Sequence, residues 1–363
     1  MKNKPTLWIF SLEPLESRYT KQWHSHVPVL LQTQLEDKFN VVQVDGIQKN
    51  SAVTPGAFLN FSDTNYWKSS QLCKFLELHN TGVTSPDDQF LFTDFWNPTV
   101  IQLRYMSDLL GFNWKLHGMV HAGSYDNFDF LGRLVGNKPW VRHSELAFFG
   151  AFDYNYFATK FHVDMFTKVF FNQINELKIV RTGWPMEYMK STIEPFSKLK
   201  KRDLILFPHR VAPEKQVEIF RDLARHLPQY EFIVCQDNAL TKDEYHALLG
   251  QSKIIFSANL QETLGITTCA EGPLAGSIPL APDRLSYSEI FSEFPEFLYP
   301  SKWTENWSAY DLNRDSVVQR IIDIMENYDQ YKDRVNEYLD TTYPTYFNFA
   351  GISNNYAENL DHE

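Results

Sequence analysis

At 363 residues the chain is longer than a single hydrophobic core usually supports, so two domains of ordinary size are expected. Its 43% hydrophobic and 22% charged residues, without any biased tract, exclude a disordered or fibrous chain. A formal net charge of −11 argues against a general polyanion-binding surface, and no apolar run is long enough to cross a bilayer.

The basic residues ahead of Pro5 lead into an apolar stretch, 6–12, too short for a signal peptide and closed by Glu13 and Glu16. It reads as a first buried strand in a cytoplasmic protein. Cys73, Cys235 and Cys269 lie far apart, so neither a disulfide framework nor a zinc site is expected, and a reducing compartment fits. Aromatic residues make up 15% of the chain, which points to a large, well-filled core and to aromatic-lined clefts.

The first half alternates strand-like and helical stretches, the pattern of a parallel sheet covered by helices. Strands are expected at 7–10, 41–44, 90–93, 115–120 and 156–158, with helices at 21–35, 66–79, 98–110 and 163–172. Asn97 and Pro98 supply a helix start, as N-cap and first helical residue. Ser11-Leu12-Glu13-Pro14 after the first strand cannot form the glycine-rich dinucleotide fingerprint, which weighs against NAD or FAD.

One more strand at 178–182 ends at Gly183-Trp184-Pro185, and the polar stretch 186–202 reads as the interdomain connection. Beyond it, strands at 204–207, 231–235, 253–256 and 277–281 alternate with helices at 213–226, 242–249 and 267–275, a second doubly wound unit. The tail carries a long helical pattern at 316–339 and an aromatic stretch at 343–349. The expected organisation is an N-terminal Rossmann-like domain over 1–190, a second one over 191–315, and a tail, 316–363, packing back towards the first.

Two segments hold residues suited to chemistry. Arg210-Val211-Ala212-Pro213-Glu214-Lys215 follows a strand, where ligands of open α/β sheets bind. Two cations there can clamp a diphosphate and offset charge on a leaving group. Singly, each is as well explained as a solvated surface cation. Glu262-Thr263-Leu264-Gly265 follows another strand, and Glu271 lies on the next helix, before Gly276-Ser277-Ile278-Pro279. A loop opening into a helix aims backbone N–H groups at an anion, and Gly265 permits close approach. The carboxylates can accept sugar hydroxyls; alone, they read as a helix-dipole partner and a solvated helix face.

Together, the two segments resemble the Arg-x-x-x-x-Lys and Glu…Glu…Gly-x-Pro elements of family 4 type glycosyltransferases with the GT-B fold. The likeness covers about residues 204–282. It implies a GT-B architecture of two Rossmann-like, doubly wound α/β domains facing each other across a cleft. It also implies a retaining transfer from a nucleoside diphosphate sugar, expected to be a UDP-sugar, without an essential cofactor or metal. By this resemblance Arg210 and Lys215 hold the donor diphosphate, Glu262 contacts the donor sugar and Glu271 the ribose, with Thr263, Leu264 and Gly265 completing the donor loop. The sequence departs from the pattern in two places: eight residues lie between Glu262 and Glu271, one more than usual, and the Gly276–Pro279 step is one residue longer than the commonest form.

His121, after the strand at 115–120, occupies a position where related enzymes place a histidine near the transferred sugar; it reads either as the catalytic candidate of the N-terminal half or as a satisfied, partly buried histidine. His24 and His26 read as helix-surface residues or as acceptor-side candidates, and Asp94, at a strand end, is a further acceptor-side candidate. Asp87-Asp88 and the Asp126/Asp129 pair are explained by turn chemistry rather than metal binding. Segments 12–18 and 94–98 are similar to glycosyltransferases of tailed bacteriophages, which makes 5-hydroxymethylcytosine in duplex DNA the first acceptor expectation and host cytoplasm the location. Lys198, Lys200, Lys201 and Arg202, with exposed aromatics, would then contact phosphates and stack on bases. A saccharide or lipopolysaccharide acceptor, a nucleotide-sugar epimerase of the same fold, and a sugar-nucleotide binding protein are the alternatives.

Overall fold

In a computed structural model, residues 4–15, 19–49, 51–52 and 59–361 are described, the last five of them without their side chains. Glu16, Ser17 and Arg18 of segment 12–18 lie outside this set. The chain forms two compact units: Met1–Ala158, Val163–Pro185 and Phe349–Glu363 make the first, and Thr159–His162 with Met186–Asn348 the second.

Among the described residues, the first unit is built on a six-stranded parallel sheet in the order β2-β1-β3-β4-β5-β6. The strands are β1 Thr6–Phe10, β2 Asn40–Val44, β3 Gln89–Phe92, β4 Lys115–Val120, β5 Tyr154–Phe157 and β6 Ile179–Arg181. Strand β3 is buried on both faces, as the interior of a helix-covered parallel sheet requires. Aromatic rings fill this core: Phe75 meets Trp8, Phe90 and Trp114 edge-on with centroids 5.2, 5.3 and 5.7 Å away. The last helix, Ala350–Asp361, also belongs here, with the Tyr356 hydroxyl donating to the Phe90 carbonyl over 3.2 Å.

The second unit carries a five-stranded parallel sheet in the order β11-β10-β9-β7-β8. Its strands are β7 Leu204–Phe207, β8 Glu231–Val234, β9 Ile254–Phe256, β10 Ile278–Pro282 and β11 Leu298–Tyr299. Strands β7 and β9 are apolar throughout and fully buried. In both sheets the chain reverses direction beside its first strand. The topological switch point therefore lies between β1 and β3 in one sheet and between β7 and β9 in the other.

Several elements differ from expectation. The stretch 186–202 is mostly a helix, Tyr188–Ser197, which buries Met189 and Ile193; the division between units falls at Pro185, before it. The second helix starts at Phe61, because Asn60 accepts from the Ser62 and Asp63 amides as N-cap. The tail helix is two, Trp307–Glu326 and Tyr328–Thr341, and both stay in the second unit, so only Phe349 onward joins the first. Where a helix is expected at 213–226, a short 3-10 turn, Pro213–Lys215, is separated by Gln216 at φ 53° from the helix Val217–His226.

Candidate active site

In the second unit, the residues singled out from sequence sit on the loops that leave β7 and β9, the two strands flanking the switch point. Lys215 ends the 3-10 turn after β7 and is buried. Its ammonium donates to the Gln261 carbonyl at 2.6 Å and to Glu262 Oε2 at 3.1 Å on the β9 loop. Arg210, on the same loop as Lys215, donates from Nη2 to the buried Glu214 carboxylate at 2.5 Å. The Leu260 amide donates to the Glu214 carbonyl at 2.8 Å, so the two loops are joined by backbone as well as side chains.

The β9 loop is fixed from below by groups that sequence reasoning did not single out. Arg284 donates to the carbonyls of Ala258 and Asn259, both at 2.8 Å, and of Ser301 at 2.9 Å. Gln216 Nε2 donates to the Ala258 carbonyl at 2.6 Å and the Thr304 carbonyl at 2.7 Å. The fully buried Tyr287 hydroxyl lies 3.0 Å from Asn259 Nδ2 and 3.1 Å from Ser257 Oγ. His209 is buried, with Nε2 donating to the Phe256 carbonyl at 3.2 Å; burial, with Lys215 nearby, holds its pKa down to about 3. It is therefore a neutral tie between the two strand ends rather than a proton carrier at neutral pH. The position of Arg284, directly after β10, was the sequence signal for a third strand-end residue.

Thr263 and Leu264 are buried, and the Thr263 carbonyl accepts from Thr159 Oγ1 at 2.8 Å. Gly265 adopts φ 73°, and a side chain there would lie 2.8 Å from the Tyr287 ring. It opens a π-helical turn, Ile266–Glu271, which runs straight into the α-turn Gly272–Leu274. A π turn takes up one residue more than an α turn. Glu271 is the last residue of this π turn. Glu271 is half-buried and accepts from the Tyr245 hydroxyl at 2.6 Å. Burial raises its carboxyl above the usual range, while hydrogen bonds from Tyr245 and Thr267 pull the other way.

In the first unit, both ring nitrogens of His121 are engaged: Nε2 donates to the Thr93 carbonyl and Nδ1 accepts from the Tyr19 hydroxyl, each at 2.7 Å. Trp184 packs on the ring with centroids 4.4 Å apart. Asp94 pairs with Lys68 at 2.6 Å and accepts from the Trp96 amide at 3.0 Å. Its burial would raise the carboxyl, but Lys68, His121 and these hydrogen bonds outweigh that and hold it below the ordinary range. His24 donates to Asp45 at 2.8 Å, a bond that holds the Asp45 carboxyl low, and His26 lies half-buried on the same helix, Tyr19–Leu35.

Local turn and cap bonds involve Asp126 and Asp129, whereas Asp88 chiefly ties its turn to β1. Asp88 accepts from Thr6 N, Trp8 Nε1 and Ser85 N; Asp126 accepts from the Phe128 amide, and Asp129 caps the helix Phe130–Val135. Among the described residues, no three His, Cys, Asp or Glu side chains are grouped to hold a metal ion, and no helix is long and apolar enough to cross a membrane.

No family model and no curated protein matches the chain. Solved structures match it over almost its whole length. Sucrose-phosphate synthase from Thermosynechococcus elongatus has a TM-score of 0.62 at 12% identity, covering 99% of each chain. The catalytic domain of starch synthase IV from Arabidopsis thaliana, bound to ADP and acarbose, has a TM-score of 0.57 at 11% identity and covers 98% of each. HepE from Anabaena, in complex with UDP and glucose, has a TM-score of 0.57 at 12% identity, covering 99% of this chain and 100% of that one. At such identities the likeness is one of fold, and the fold of the chain is that of the GT-B glycosyltransferases.

Proposed function

We propose that the chain transfers a sugar, with retention of configuration, from a nucleoside diphosphate sugar to an acceptor hydroxyl. The observation that carries this reading is the Lys215–Glu262 contact at the switch point of the second sheet, with Arg210 on the same loop. A cation beside a carboxylate there offers one group for a diphosphate and one for sugar hydroxyls. Lys215 and Arg210 would offset the charge that develops on the departing diphosphate, Glu262 would orient the sugar, and Glu271 would take the ribose hydroxyls. Thr263, Leu264 and Gly265 would shape the donor loop, and His121 would face the transferred sugar. A UDP-sugar is the first donor to try, because HepE is a fold relative solved with UDP.

For the acceptor, a saccharide hydroxyl is better supported than 5-hydroxymethylcytosine in DNA. Three of the four cations that would contact phosphates already have partners: Lys201 donates to the carbonyls of Ser252 and Ala275 at 2.9 and 2.8 Å. Lys198 pairs with Glu194, and Arg202 with Glu231 and Gln251. Incubation with UDP-glucose and a panel of saccharides, hydroxymethylated duplexes and unmodified duplexes tests both halves, with the product anomer read by NMR. Glycosylated saccharide with retained configuration is expected. An inverted product, transfer to the hydroxymethylated duplex alone, or release of an epimerised sugar without acceptor would each overturn the corresponding part.

A further inference from the structure

The Lys215 ammonium carries three N–H groups. Three oxygens of the β9 loop take them: the Gln261 carbonyl at 2.6 Å, Glu262 Oε2 at 3.1 Å and Gln261 Oε1 at 3.4 Å. Lys215 is buried, so a diphosphate can be held by this ammonium only in place of one of the three. The Gln261 carbonyl makes the shortest bond and is main chain in a loop tied down by Arg284, so the exchange falls on the side-chain oxygens. Gln261 Oε1 leaves without altering any charge. Glu262 differs, because its carboxylate neutralises Lys215 and lies beside any phosphate that reaches it.

The charged side chains of the two loops, 208–216 and 257–265, are Arg210, Glu214, Lys215 and Glu262. Arg210 is paired with Glu214 at 2.5 Å, so each cation has a carboxylate beside it. His209 is neutral, and burial together with the Glu262 charge keeps the Cys269 thiol and the Tyr287 hydroxyl protonated. Asn259 Nδ2 lies 3.4 Å from the same Glu262 oxygen that Lys215 holds, which keeps the carboxylate within reach of the ammonium. A donor sugar brings hydroxyls that can occupy this carboxylate, whereas a bare nucleoside diphosphate brings none to it. We propose that Glu262 favours the sugar-bearing nucleotide over the bare one by competing with the diphosphate for Lys215. With sugar hydroxyls on Glu262, Lys215 turns to the diphosphate; once the sugar has passed to the acceptor, Glu262 returns to Lys215 and opposes the UDP left behind. This rests on the donor-site reading above, and adds product release to the sugar contact expected of Glu262. A shift of the whole β9 loop is a different perturbation, because it carries Gln261 and Lys215 along with Glu262 and so weakens UDP.

The test titrates the whole chain with UDP, and with whichever of UDP-glucose, UDP-galactose and UDP-N-acetylglucosamine the wild type binds most tightly. Glu262→Gln keeps the size of the side chain and removes its charge. It should bind UDP more tightly than the wild type, on the order of fivefold, and gain less than that, or lose, for the UDP-sugar. A merely structural role would weaken both ligands together. In a Lys215→Ala background, read by ligand-observed NMR, the gain in UDP affinity from Glu262→Gln should shrink, because the competition needs the ammonium. A gain of full size there would mean plain repulsion of phosphate and would overturn the proposal. A folded Glu262→Gln that binds UDP no better than the wild type, or that gains equally for UDP and the UDP-sugar, overturns it too. Absence of UDP binding in the wild type refutes the donor reading and the proposal with it. UDP binding that Lys215→Ala weakens and Glu262→Gln does not improve leaves the donor reading standing and refutes the competition alone. Were Glu262→Gln not to fold, Glu262→Asp, whose shorter side chain draws the carboxylate back from Lys215, should show the same gain for UDP, and its absence would decide against the proposal.

Discussion

Replacing Gly265 with alanine probes the joint between the β9 loop and the π turn. Gly265 sits at φ 73°, and an added Cβ would lie 2.8 Å from Tyr287 Cε1 and 3.2 Å from Cys269 Sγ. Gly276, in the same unit, supplies the control: it has φ 76°, but the nearest atoms to an added Cβ are 3.6 Å away on Lys201. Both alanines bear the left-handed backbone term of about 1–2 kcal/mol. Only Gly265→Ala adds overpacking, about 1–3 kcal/mol, because Tyr287 is fully buried and held by Ser257 and Asn259. Urea unfolding, with hydrogen exchange on β9 peptides to assign the loss to the second unit, should show Gly265→Ala as the more destabilised by that difference. Weaker UDP affinity should accompany it, since displacing Tyr287 moves Asn259 and through it Glu262. Equal destabilisation of the two variants would refute this account of the joint.

Arg284→Met should loosen the β9 loop by leaving the Asn259 carbonyl without its donor and taking one of two donors from the carbonyls of Ala258 and Ser301; a loss on the order of 2 kcal/mol is expected in urea unfolding, with UDP affinity falling alongside. Tyr245→Phe removes the 2.6 Å hydrogen bond that lowers the Glu271 carboxyl, so Glu271 should keep its proton to higher pH. The acid limb of UDP affinity should move upward, with little change on the alkaline side. Because a raised folded-state carboxyl pKa makes stability fall as pH rises from the ordinary value through the raised one, the stability of the variant should decline over a window reaching further up than in the wild type. A pH profile that superimposes on the wild type would show that Tyr245 does not govern Glu271.

The central strands were legible because burial on both faces leaves little but apolar residues, as in Leu204–Phe207 and Ile254–Phe256. What followed them was legible only as residue types at strand ends. The helix Tyr188–Ser197 read as a linker because it contains Pro195 and buries only Met189 and Ile193. The break at Asn327 escaped notice since apolar spacing runs on across it, from Val317 and Ile321 to Val335 and Tyr338. The π turn Ile266–Glu271 was not legible, because residue types alone do not say whether a turn is wound as α or π.

Calorimetric titration of UDP into the wild type, Lys215→Ala and Arg210→Ala tests the donor site most directly. Lys215 contacts Glu262 across the switch point and Arg210 shares its loop, so each truncation removes a cation meant for the diphosphate. The wild type should bind UDP, and each variant should bind it roughly tenfold or more weakly while keeping its fold by circular dichroism. UDP binding of equal strength in all three, or none in the wild type, would contradict the assignment of this site to a nucleoside diphosphate sugar.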